Sequence, residues 1–106
     1  MAWIEVAKLD EIKPNSLKSV RVGDDDVVLV GGAHCDSPIS AFTDLCSHQD
    51  VKLSEFGSVT DGKLVCFAHN AAFDVCSGEV VCAPATRALD RWELEIRGVS
   101  IFVKRR

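Results

Sequence analysis

The chain has 106 residues, 47% hydrophobic and 26% charged, enough for one compact domain and not for two. Twelve Lys and Arg against 16 Asp and Glu give a formal charge of -4. That balance argues against a nucleic-acid binder, and no apolar run approaches the roughly 20 residues that cross a bilayer. The first ten residues carry acids and no apolar signal core, so no export signal is expected and a cytoplasmic location follows.

In chain order the pattern is one of short strands with period-two alternation and frequent turns. Trp3 to Ala7 reads as a strand ending before the Pro14-Asn15-Ser16 turn. Ser19 to Val22 and Val27 to Val30 flank a turn at Gly23-Asp24-Asp25-Asp26, whose three aspartates lack the following acidic ligands of a calcium loop. Ile39 to Thr43 follows as a strand. Ser58 to Thr60 and Lys63 to Val65 enclose Asp61-Gly62, the strongest hairpin signal in the chain.

Phe73 to Cys76 and Glu79 to Val81 enclose Ser77-Gly78 in the same way. A short helix is expected near Ala85 to Leu89. Trp92 to Ile96 alternates, turns at Arg97-Gly98 and returns as Val99 to Val103. With each strand pair burying one face and wetting the other, the expectation is an all-β antiparallel sandwich or barrel. Charge is uneven along it: residues 1–45 carry a net -4, residues 46–82 a net -3 and residues 83–106 a net +3.

Five cysteines are many for this length, but an odd count without an export signal fits a metal or cluster site better than a disulfide scaffold. Two Cys/His pairs stand out. Cys46-Ser47-His48 has one residue between its members, Cys66-Phe67-Ala68-His69 has two, and 17 residues separate the pairs. Each pair sits on a loop beside a strand, and the intervening hairpin can bring the loops face to face, so that two thiolates and two imidazoles converge. Three readings compete: surface histidines with buried thiols, a structural Cys2His2 zinc site, or an iron–sulfur centre. Zinc modules usually space their first ligands by two to four residues, which the first pair does not do.

Cys-x-His, a gap of this size and Cys-x-x-His resemble the signature of the Rieske family. The neighbours agree: Leu53-Ser54-Glu55 with Gly57 in the gap, then Ala72-Phe73-Asp74, Ser77-Gly78-Glu79 and Pro84-Ala85. The resemblance covers nearly the whole chain and is greatest to small stand-alone Rieske-type ferredoxins. It implies a [2Fe–2S] cluster with Cys46 and Cys66 on one iron and His48 and His69 on the other, the histidines at an exposed tip. It also implies one Rieske domain over residues 1–106: an antiparallel sandwich base holding a smaller cluster-binding subdomain at about 43–84.

The implied activity is electron transfer and not catalysis, between a reductase and a terminal oxidoreductase or oxygenase, in a monomer. The alternatives are a Rieske subunit of a larger oxygenase or reductase complex and a zinc module. Neutral imidazoles in place of thiolates make reduction easier than in an all-thiolate cluster, and their ionisation should lower the potential at alkaline pH. The respiratory members' extra loop cysteines, which form a disulfide, have no counterpart here. Ala71 and Phe73 stand where those proteins offer hydroxyls to the cluster sulfurs, which places the expected potential in the lower part of the family range.

Asn70 stands where the family usually has glycine, and Phe67 where proline is common. Val51, Phe67 and Phe73 are candidates to shield the cluster, or ordinary core residues. Cys35, Cys76 and Cys82 match no ligand position and read as buried inert thiols; a disulfide between Cys76 and Cys82 would call for an oxidising compartment or a heat-loving host. His34 beside Cys35 is a weaker ligand candidate.

Overall fold

The computed structural model describes residues 2–31, 38–45, 52–66, 71–82 and 88–105, the side chain of Cys82 excepted. Among the described residues, ten strands and one short helix follow in the order β1 (Ile4–Lys8), β2 (Leu17–Val22), β3 (Asp25–Gly31), β4 (Ile39–Thr43), α1 (Leu53–Phe56), β5 (Gly57–Thr60), β6 (Lys63–Cys66), β7 (Ala71–Asp74), β8 (Val80–Cys82), β9 (Glu93–Arg97) and β10 (Ser100–Lys104). A 3-10 turn at Leu9–Glu11 follows β1. The strands form three antiparallel sheets: β1-β10-β9, β2-β3-β4 and β5-β6-β7-β8.

The β2-β3-β4 sheet lies in the middle, because β3 is apolar on both sides. Val27 and Leu29 join Ile39, Ala41, Trp92, Ile101 and Val103 in one core, against the β1-β10-β9 sheet. Val28 and Val30 join Phe42, Leu53, Leu64, Cys66, Phe73 and Val75 in a second core, against the four-stranded sheet. The unbroken run Val27-Val28-Leu29-Val30 is the signature of burial on two faces. One-sided burial therefore fails for this strand, while the all-β antiparallel class holds.

The turns explain most boundaries. Asp61 and Gly62 both have positive φ, at 52° and 75°, the pairing that a tight two-residue hairpin needs. Only Gly23 and Asp24 form the expected four-residue turn; Asp25 and Asp26 already belong to β3 and pair with Val22 and Arg21. Their carboxylates face cations: Asp25 meets Arg105 at 2.7 Å, and Asp26 meets Lys52 at 3.4 Å.

β7 ends at Asp74, two residues before the expected end, because the Asp74 carboxylate accepts the backbone N–H groups of Cys76 and Ser77 at 2.8 and 3.0 Å and bends the chain. The helix expected near Ala85 to Leu89 lies partly outside the described residues, and the described part, Ala88 and Leu89, is not helical. The α-helix among the described residues, α1, is a single turn.

Candidate metal centre

Of the four predicted ligands, Cys66 is described; Cys46, His48 and His69 lie outside the described residues, as do His34, Cys35, Val51, Phe67 and Asn70. The chain on either side of both ligand segments is described, and it forms two closed necks.

The second neck is the simpler. Cys66 ends β6 fully buried and pairs directly with Ala71, the first residue of β7. The chain on either side of the four residues between them, His69 included, is thus held together by sheet pairing. Cys66, Ala71 and Phe73 all belong to the second core, so both ends of this neck are packed among apolar side chains.

The first neck uses charge. β4 ends at Thr43, and the next residue, Asp44, is only 3% exposed. Its backbone N–H donates to the Asp26 carbonyl at 2.8 Å. Its carboxylate accepts the Ser54 N–H at 2.8 Å and the Ser54 hydroxyl at 2.6 Å. Across the loop, Lys52 reaches the Asp26 carboxylate. Both ends of the segment that holds Cys46 and His48 are thus fixed to β3 and to each other.

Thr43 itself is held from the other side. Its N–H donates to the Asp90 carbonyl at 2.9 Å, and its hydroxyl accepts the Trp92 indole N–H at 3.0 Å.

The necks are adjacent. Leu53, the first residue of α1, is fully buried in the core that contains Cys66. Gly57 pairs with Cys66 across β5 and β6 and lies so close to the helix that a Cβ there would sit 2.4 Å from the Leu53 carbonyl oxygen. Glycine is required for this approach. The helix turn after the first loop and the strand that bears Cys66 are therefore pressed together.

A buried thiol at a strand end, beside a second loop tied at its root, suits a centre that draws soft ligands from two facing segments. Ala71 and Phe73 are fully buried and bring no side-chain hydroxyl to it.

A Rieske [2Fe-2S] domain pattern matches residues 2–93. The chain belongs to the Rieske [2Fe-2S] domain family.

This Rieske domain is 28% identical over 102 residues to the ferredoxin component of the naphthalene 1,2-dioxygenase/salicylate 5-hydroxylase systems of a Ralstonia species, covering 96% of this chain and 94% of that protein. Among solved structures it superposes on the ferredoxin of carbazole 1,9a-dioxygenase from Nocardioides aromaticivorans IC177 with a TM-score of 0.87, at 27% identity and over the whole of both chains. It also matches a chain in the complex of reduced oxygenase and oxidised ferredoxin in carbazole 1,9a-dioxygenase, with a TM-score of 0.82, 28% identity, and 95% and 91% coverage. The cofactor of a Rieske domain is a [2Fe–2S] cluster, and the two necks of this chain fit it.

One expectation about the cysteines is overturned. Cys76 is not an inert thiol: it is disulfide-bonded. It is half-buried in the turn after β7 and packs against the second core. Nothing in the cysteine spacing could have revealed this, because pairing depends on which loops the fold brings together.

Proposed function

We propose that this Rieske domain is a one-electron carrier, a ferredoxin that passes electrons from a reductase to a terminal oxygenase. Cys46 and Cys66 hold one iron of the cluster, and His48 and His69 hold the other, within a subdomain at about 43–84 of a single domain spanning 1–106. When bound, the cluster supplies a single reversible electron. The protein holds the four ligands still, buries the thiolate side and excludes water from it. The chain works as a monomer in the cytoplasm and transforms no substrate of its own.

The observation that carries this reading is the pair of adjacent necks, Asp44–Ser54 and Cys66–Ala71, each closing a short loop that bears one Cys/His pair. The match over nearly full length to ferredoxins of similar size favours a carrier over a subunit of a larger chain. The net -3 of residues 46–82 favours an acceptor with a basic docking surface, so turnover with it should weaken as salt rises.

Low-temperature EPR of the dithionite-reduced protein, with iron, sulfide and zinc analysis, tests the site. A binuclear iron signal with equal iron and labile sulfide supports it. Colourless protein with one zinc per chain overturns it. Reduction by a reductase and reoxidation by an oxygenase, in a protein that sediments as a monomer, tests the carrier role. Co-purification with an oxygenase at fixed ratio would overturn that role.

A further inference from the structure

We propose that Arg105 is a positioning residue for the first ligand segment: anchored on Asp25, it holds the Trp92 indole against Thr43 at the root of the first neck. The consequence for Cys46, three positions after Thr43, rests on the ligand reading above. The contacts themselves lie wholly within the described residues.

Successive residues of a strand face opposite sides of the sheet. In β3, Asp25 shares its side with Val27 and Leu29, which belong to the core that holds Trp92, Ile101 and Val103. Asp26 shares the other side with Val28 and Val30, in the core that holds Leu53. These two acids, which no calcium loop claims, therefore act on different faces. Asp26 takes Lys52, which immediately precedes α1, at 3.4 Å. Asp25 takes the guanidinium of Arg105, just past the end of β10, at 2.7 Å.

The first neck is divided in the same way. Thr43 pairs directly with Val27 and so lies on the Trp92 side, while Asp44 turns to Ser54 on the other. Asp44 needs no intermediary. Thr43 depends on Trp92, whose indole N–H donates to its hydroxyl at 3.0 Å and whose backbone N–H donates to the Ala41 carbonyl at 2.9 Å. The Arg105 guanidinium carbon stands 5.5 Å from the centre of the Trp92 ring, within the range of a cation–π contact. A continuous set of contacts thus runs from Asp25 through Arg105 and Trp92 to Thr43.

A cavity of about 260 Å³, lined by Thr43, Asp90, Arg91, Trp92 and Arg105, lies against these contacts. It gives water a route to the Trp92–Thr43 bond once the guanidinium is removed. Arg91 is exposed in the same cavity and forms no ion pair with the described residues, so removing its charge leaves the clamp intact. An exposed ion pair and one cation–π contact are each weak, so the fold survives the loss of Arg105.

The test is hydrogen exchange of the indole N–H groups of the two tryptophans, Trp3 and Trp92, in the full-length holoprotein, with the rate at which a chelator strips iron followed in parallel. Arg105→Gln should speed exchange at Trp92 about five- to thirtyfold, the change that two weak surface contacts carry together. Trp3 should keep the parent's rate, which a general loosening would not allow. Iron loss should quicken about threefold or more, through the freed root of the neck. Arg105→Lys should recover most of both effects, and Arg91→Gln should match the parent. Asp25→Ala should reproduce Arg105→Gln, and the double variant should be no worse than either alone, because both break one set of contacts.

Parent-like exchange at Trp92 in Arg105→Gln overturns the clamp. Faster exchange with unchanged iron loss overturns the positioning role, as do equal effects in Arg91→Gln, which would assign them to lost charge alone. A parent protein without iron removes the ligand reading instead, and the exchange rates still decide the clamp.

Discussion

Asp44 and Ser54 are ten residues apart, yet the carboxylate of the first takes both the backbone N–H and the hydroxyl of the second, at 2.8 and 2.6 Å. One nearly buried acid thereby shuts the segment that carries Cys46 and His48. Hydrogen bonds to a charged acceptor contribute about 1.5–3 kcal/mol, and the stranded donors add to the loss. Asp44→Ala should lower stability by about 2–3 kcal/mol in urea unfolding and reduce cluster content on purification. Asp44→Asn, which keeps one acceptor, should recover part of both.

Gly57 admits no side chain. Its φ of -107° is ordinary, so the constraint is contact and not backbone conformation. A Cβ 2.4 Å from the Leu53 carbonyl oxygen must push the α1 turn away from the β5–β6 pair. Gly57→Ala should cost about 2 kcal/mol or more, measured by chemical unfolding, and should loosen the cluster site as the two necks separate.

The β7–β8 turn carries a pH signature. The backbone N–H groups of Ser77 and Cys76 donate to the Asp74 carboxylate and hold its carboxyl below the usual carboxylate range. The folded state thus favours the charged form. The resulting stability is fully present above the unfolded value of about 3.9 and is lost as pH falls through the lower folded value. Asp74→Asn should remove this acid-side dependence from the unfolding midpoint measured across pH. At neutral pH, Asp74→Ala should cost about 1–2 kcal/mol.

Ala71 is fully buried, directly across from Cys66, and lacks a hydroxyl. A donor placed there would stabilise the reduced, more negative centre. Ala71→Ser should raise the midpoint potential in a redox titration, and the parent should lie toward the lower end, roughly -150 mV, of the family range. A strongly positive parent midpoint would overturn the link between missing hydroxyls and low potential.

Much of this architecture is legible in the residues. The Asp61-Gly62 pair marked its hairpin because few other residues accept two successive positive φ values. The two Cys/His pairs pointed to the Rieske family, whose domain pattern matches residues 2–93, because their spacing is rare outside it. What escaped was non-local. The α1 turn, four residues long, has no periodicity to read, and its placement depends on Asp44 reaching Ser54 from ten residues upstream. The early end of β7 depends on a carboxylate folding back on its own backbone, which competes with the apolar alternation of Phe73 and Val75. The central position of β3 was written in its four-residue apolar run, although alternation elsewhere suggested a wet face.

The two necks also bear on speed. Electron transfer is slowed when the atoms around a redox centre must shift as the charge arrives. Here the Cys66–Ala71 pair and the Asp44 bonds tie each neck to packed sheet, leaving little slack at the roots of the two segments. Roots set in advance suit an electron carrier, because a low nuclear barrier then serves loading and unloading alike.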